Sequence, residues 1–136
     1  MDLAEMIRKQ EELEEAYHKE GGRIITEYLK RFFDKYSEAH IIRWTQYTPY
    51  FNDGDPCVFG TCLDAILTER EFQAMEDSGS SYYEEFSETF PYDSKAYKEF
   101  SQFLNDAEKV LEAALGDHKE VIATRDNLEV EDYDHE

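Results

Sequence analysis

Between positions 24 and 36 the apolar residues fall on one side of a helix. Ile24, Ile25, Tyr28, Leu29, Phe32, Phe33 and Tyr36 recur at i, i+1, i+4, i+5, i+8, i+9 and i+12. Segment 23–36 is therefore predicted to be a core helix, with Lys30, Arg31 and Lys35 suited to the negative end of its dipole. Residues 2–20 carry a thinner stripe, Leu3, Met6, Leu13 and Ala16/Tyr17, set among Glu and Lys. They read as a separate charged helix that Gly21-Gly22 ends with a hinge.

The period then changes from helical to alternating. Ile41–Tyr47 reads as a strand, with Ile41, Arg43, Thr45 and Tyr47 on one face and Ile42, Trp44 and Gln46 on the other. Ile42 and Trp44 are the inward pair. Thr48-Pro49 stops the ladder, and Asn52-Asp53-Gly54-Asp55-Pro56 supplies turn residues. A return strand begins at Cys57-Val58-Phe59 and runs through Leu67.

Residues 68–93 form an acidic, aromatic stretch broken by Ser78-Gly79-Ser80-Ser81. One short helix and a long loop are expected there. Ser94 is a natural N-cap for a helix over 95–115, whose stripe runs Tyr97, Phe100, Phe103/Leu104, Ala107, Val110/Leu111 and Ala114/Leu115 before Gly116. Segments 120–125 and 128–131 flank Asp126-Asn127 as a hairpin with a two-residue turn of positive φ. Residues 132–136 read as a frayed polar tail. The sum predicts a single α+β domain over 1–136. Its antiparallel sheet has about four strands, as two strand pairs, with helices packed on one face.

Charge adds the strongest constraint on partners. The 136 residues hold 33 acids against 14 bases, a net charge of −19. Such a field repels nucleic acid and anionic membranes and suits a protein partner with a basic surface. No apolar run approaches the ~20 residues of a membrane span, and the first residues lack a basic-apolar leader pattern. The two cysteines, Cys57 and Cys62, lie five apart, on opposite faces of one strand, and are expected as free thiols in a reducing compartment.

Catalytic and metal chemistry find little support in the pattern. The Asn52–Asp55 loop groups oxygen ligands but lacks the calcium-loop spacing, so a turn accounts for it. His40, His118 and Asp134-His135 make a metal cluster only if the fold gathers them. Cys57 and Cys62 lack a nucleophile motif, and no glycine-rich phosphate loop occurs. No cofactor and no enzymatic activity are expected. The best binding candidate is the acidic-aromatic stretch. There Tyr82, Tyr83 and Phe86 are candidate anchors beside Glu84, Glu85, Glu88 and Asp93, joined by Glu129, Glu131 and Asp132 of the last hairpin. The plainer alternative sends several of these aromatics into the core and leaves the acids solvated. For a small ligand such as a nucleotide, Arg43, Trp44 and Arg125 are the available cations and stacking ring.

Two strings carry a resemblance. W-T-Q-Y-T-P-Y-F-N-D-G-D-P-C-V-F (44–59) and the ending G-D-H-K-E-V-I-A-T-R-D-N-L-E-V-E-D-Y-D-H (116–135) resemble a family of small acidic proteins encoded by tailed bacteriophages. The motifs bring no catalytic roles with them. The resemblance implies a phage protein acting in the bacterial cytoplasm. By analogy with other small acidic phage proteins, it implies an inhibitor of host defence (anti-restriction or anti-CRISPR in type) or of a nucleic-acid enzyme, some of which imitate DNA charge. A ligand-sequestering protein and a symmetric oligomer with an assembly role are the competing expectations.

Overall fold

The alternating segments form one antiparallel sheet. In this computed structural model, which describes residues 2–49, 54 and 57–133, the strands are β1 (Ala39–Tyr47), β2 (Gly60–Thr68), β3 (Lys119–Thr124) and β4 (Leu128–Asp132). Their order is β2-β1-β3-β4, so the two predicted strand pairs join through β1 and β3. The helices are α1 (Leu3–Lys35), α2 (Glu69–Ser78), α3 (Lys95–Asp106) and α4 (Glu108–Leu115), with a 3-10 turn at Tyr83–Phe86. The fold is α+β, as the pattern implies.

Helices cover both faces of the sheet, which corrects the expectation of one covered face. On the first face α1, α3 and α4 enclose Ile42, Trp44, Leu63, Ile66, Val121 and Ala123. Aromatic rings fill this core: Trp44 lies 5.5 Å from Phe100, and Phe100 meets Phe32 edge-on at 5.0 Å. On the second face Ile41, Ala65 and Leu67 pack with Met75 of α2, and Phe72, Tyr83 and Phe86 close the cluster. Residues 68–93 are thus a packed layer, in which α2 opens on a Thr68–Glu71 capping box. The T-x-x-E spacing was present in the sequence as the sign of that helix start.

Gly21-Gly22 does not end a helix. A single helix runs from Leu3 to Lys35, because α4 crosses it at Gly21. A Cβ at Gly21 would lie 2.9 Å from the Ala114 Cβ and 3.2 Å from Val110 Cγ1, whereas one at Gly22 would meet nothing within 4 Å. Packing against the bare backbone outweighs the local helix penalty of glycine, about 1 kcal/mol per residue. Gly22→Ala is accordingly expected to stabilise the domain by about 0.5–1 kcal/mol. Gly21→Ala is expected to destabilise it by about 1–2 kcal/mol through overpacking. Urea melts of the two variants check the opposite signs.

Three further boundaries differ from expectation. The helix predicted over 95–115 has its Ser94 cap, which accepts from the Tyr97 N–H, but breaks at Ala107 (φ −100, ψ 14). Asn105 and Asp106 are weak helix formers, and the bend turns α4 onto α1. The return strand starts at Gly60, leaving 57–59 outside the ladder. The last hairpin closes through three residues, with the Thr124 N–H donating to the Asn127 carbonyl. Among the described residues outside glycine, positive φ occurs at His118 and not in that turn. Of the predicted tail, Asp132 ends β4 and the Tyr133 N–H donates to the His118 carbonyl at 2.8 Å, while 134–136 lie outside the described residues. The predicted turn at 52–56 lies outside the described residues except Gly54.

Candidate functional site

Arg43 is the centre of the most unusual polar cluster. Strand alternation sends it to the second face, beside Ile41. Opposite it, β2 carries one extra residue: Arg43 pairs with Ala65 and Trp44 with Leu63. The bulge leaves Asp64 between them and turns its carboxylate to the Arg43 Nη1. From the other side Arg43 Nε donates to Glu120 Oε1 of β3 at 3.1 Å. The guanidinium lies 5.5 Å from the centre of the Tyr83 ring. Burial works against its charge, but the hydrogen bonds to Glu120 and Asp64 outweigh that and hold it more firmly protonated.

One cation does not balance this face. Glu84 also hydrogen-bonds Asp64, and that contact with the neighbouring charge raises the Glu84 pKa above the usual carboxylate range. Glu120 stands directly across from Glu131 of β4, a like-charge pair that costs stability. Glu129 is two residues along on the same strand and face. The second sheet face therefore presents Asp64, Glu84, Glu120, Glu129 and Glu131 on the side of a single arginine that is already engaged. Such a surface has negative potential to offer a cationic group.

The predicted partner residues divide on this geometry. Glu84, Glu129 and Glu131 gather at the Arg43 face, and Glu85 is exposed beside Glu84 in the same 3-10 turn. Tyr82 is 69% exposed and is the free aromatic next to them. Tyr83 and Phe86 are half-buried packing residues. Asp132 points to the opposite face, where its carboxylate accepts from Lys119 Nζ. That bond lowers its pKa. Asp93 precedes the cap of α3 and belongs to the first-face layer. Glu88 is exposed, and its N–H donates to Glu71 at 2.7 Å. Asp64 and Glu120, which complete the cluster, were not singled out by sequence. Glu120 was legible from strand parity, but the bulge hid Asp64.

Glu71 holds this layer on the sheet. Its carboxylate accepts from the Thr68, Glu88 and Thr89 N–H groups at 2.8, 2.7 and 2.9 Å. Burial alone would raise its pKa, but these backbone donors lower it.

The alternative ligand residues do not converge. Trp44 is fully buried on the first face, its Nε1 donating to Gln46 Oε1 at 3.0 Å. Arg43 is on the opposite face. Arg125 caps the end of α1, donating to the Phe33 carbonyl at 2.7 Å and to Asp34. It borders an open crevice of about 880 Å³ that His40 and Arg70 also line, but neither Arg43 nor Trp44 reaches it. His40 is the second residue of β1, whereas His118 precedes Lys119, the partner of Gln46 near the other end of β1. The fold thus separates two members of the possible metal cluster, and Asp134-His135 lies outside the described residues. Both cysteines are free. Burial, then Asp64 and Glu84, push the Cys62 thiol up and away from its nucleophilic form.

The two distinctive strings of the sequence meet in space. Gln46 Nε2 donates to the carbonyls of Leu111 and Gly116 at 3.1 and 2.7 Å. Asp117 accepts from the Thr48 N–H and hydroxyl, both at 2.7 Å. Tyr47 lies 5.7 Å from Tyr133. The described parts of both strings therefore build the junction of β1 with β3 and the end of α4. No known family matches the chain, and no curated protein or solved structure shows significant similarity to it. No helix among the described residues is long and apolar enough to cross a membrane.

Proposed function

We propose that this chain is a non-catalytic binding protein that engages a basic surface of a host protein through the acidic half of its second sheet face. The observation that carries the reading is the crowding of carboxylates around Arg43. Glu84 is driven toward protonation by Asp64, and Glu120 stands across from Glu131. A partner's Lys or Arg side chains relieve that repulsion on binding, so the uncomplexed protein is poised for them. Tyr82 supplies an exposed ring at the rim. The phage resemblance favours a role as an inhibitor of a host defence or nucleic-acid-processing protein, with carboxylates standing in for phosphates.

The test compares the wild type with Glu84→Lys/Glu131→Lys as bait in bacterial lysate at about 50 and 500 mM salt. A specific protein retained by the wild type at low salt, released at high salt and lost by the charge-reversed bait is the expected result. Equal retention by both baits would remove this face from the function.

A further inference from the structure

The two edges of the sheet differ. The β2 edge is covered by side chains: its Leu63 carbonyl accepts from the Tyr97 hydroxyl at 2.7 Å, and its Ile66 carbonyl from the Ser87 hydroxyl at 3.2 Å. The β4 edge is open. Two bonds that flank the last hairpin fix which of its backbone groups face outward. The Thr124 N–H donates to the Asn127 carbonyl, and the Tyr133 N–H to the His118 carbonyl, each at 2.8 Å. Antiparallel alternation in the same register then turns Glu129 and Glu131 to β3 for their ladder bonds. The N–H and C=O groups of Leu128, Val130 and Asp132 point away from the sheet. Among the described residues these groups have no partner, and β4 is the last strand in the order. Such an edge is a template for a further strand.

The side chains of β4 decide what fits there. Glu129 and Glu131 stand on the second face. Leu128 and Val130 stand on the first, where Val130 faces Val121 and is 37% exposed. A fifth strand, laid antiparallel, puts its residues opposite Leu128, Val130 and Asp132 in hydrogen-bonded pairs. Those opposite Glu129 and Glu131 fall in the non-bonded pairs, whose side chains lie closer. Lys or Arg at these two positions meets both carboxylates and offsets the repulsion between Glu120 and Glu131. An apolar residue between them extends the row of Leu128 and Val130. A second copy of this chain is disfavoured by the same rule. In any register that keeps the faces matched about Val130, β4 against β4 sets glutamate opposite glutamate.

We infer that β4 is a docking edge for an extended basic segment of a partner protein, which adds as a fifth strand with Lys or Arg at alternate positions. The inference rests on the acidic-face reading and specifies how the partner is held. Main-chain bonds to Leu128, Val130 and Asp132 supply affinity, and the two glutamates supply the preference for charge.

The test titrates isotope-labelled protein, followed by amide NMR, with the blocked peptide acetyl-Thr-Lys-Val-Arg-Val-amide and two N-methylated forms of it. Antiparallel against 128–132, the Thr and both Val residues turn their N–H groups to β4, whereas Lys and Arg turn theirs to solvent. Methylating both Val nitrogens is expected to weaken binding at least about tenfold, and methylating the Lys and Arg nitrogens by no more than about threefold. The Leu128, Val130 and Asp132 amides should shift most. Val130→Pro keeps every charge and removes an outward N–H, a change that edge strands tolerate. It is expected to weaken the parent peptide at least about tenfold as well. Equal effects of the two methylation patterns would overturn the fifth strand, and so would a parent peptide that fails to bind. Binding that ignores both methylation and Val130→Pro, yet is lost in Glu84→Lys/Glu131→Lys, would overturn the strand while leaving the acidic-face reading standing. That reading fails separately, on equal retention of a lysate partner by the charge-reversed bait.

Discussion

Arg43→Leu is expected to lower folding stability by about 2–3 kcal/mol at pH 7, and most of that loss should return below about pH 4.5. The first part follows from geometry. Arg43 is the shared partner of Asp64 and Glu120, whose side chains are only 15% and 23% exposed. Removing one member of a buried ion pair leaves the other charge stranded, at a cost of about 3–5 kcal/mol when burial is complete. Partial exposure reduces that figure. The pH dependence follows from the neighbours. Glu84 already has a raised pKa through Asp64, with Arg43 as the counteracting charge. Without Arg43, Glu84 moves further up. A carboxyl whose folded pKa exceeds its unfolded value contributes stability below the unfolded value, and that stability is lost as pH rises through the folded one. The variant should therefore recover as the cluster takes up protons. Urea melts at pH 7 and 4.5 measure this. An equal deficit at both would mean that contact with Tyr83, not charge, carries the effect.

Gln46→Leu should be more damaging, at about 3–5 kcal/mol, and should not respond to pH. Gln46 is fully buried, yet its amide is completely used. Its oxygen accepts from Trp44, and its nitrogen donates to the Leu111 and Gly116 carbonyls. Leucine leaves one indole N–H and two carbonyls without those bonds, at about 1–3 kcal/mol for each group left unsatisfied. Gln46→Glu gives a diagnostic contrast. As a neutral acid, glutamate can still accept from Trp44 and donate to one carbonyl. As a carboxylate it faces two carbonyl oxygens. Its stability should improve as pH falls, which thermal melts between pH 5 and 8 would show. A pH-independent Gln46→Glu variant would place the side chain outside this network.

The buried hydrogen-bonded glutamine explains why two separated strings look so individual. The W-T-Q-Y-T segment supplies the indole, the amide and the Thr48 hydroxyl, while the G-D-H segment supplies the receiving carbonyl and the Asp117 carboxylate. Each half is incomplete alone, because a buried polar group without its partner is costly. Their distinctiveness in the sequence thus has a structural cause in the described residues.

Local patterning was enough for much of the architecture. Period-3.6 stripes placed the apolar faces of α1 and α3, and alternation placed Ile42 and Trp44 against Arg43. Cap chemistry located Ser94. Those features depend on neighbours within a few residues, so the sequence alone determined them. Net charge likewise set the sign of the protein's own field. Tertiary structure decided the rest. Gly21 stays helical because α4 needs its bare backbone. The acidic-aromatic stretch folds as a second layer because Phe72, Met75 and Phe86 find apolar partners on β1 and β2. Asp64 joins Arg43 through a bulge that shifts strand parity by one residue, which reverses the face that alternation assigns. The site itself unites β1, β2, β3, β4 and the 3-10 turn. Its charges are far apart in the chain, and their coupling exists only once the sheet has set them side by side.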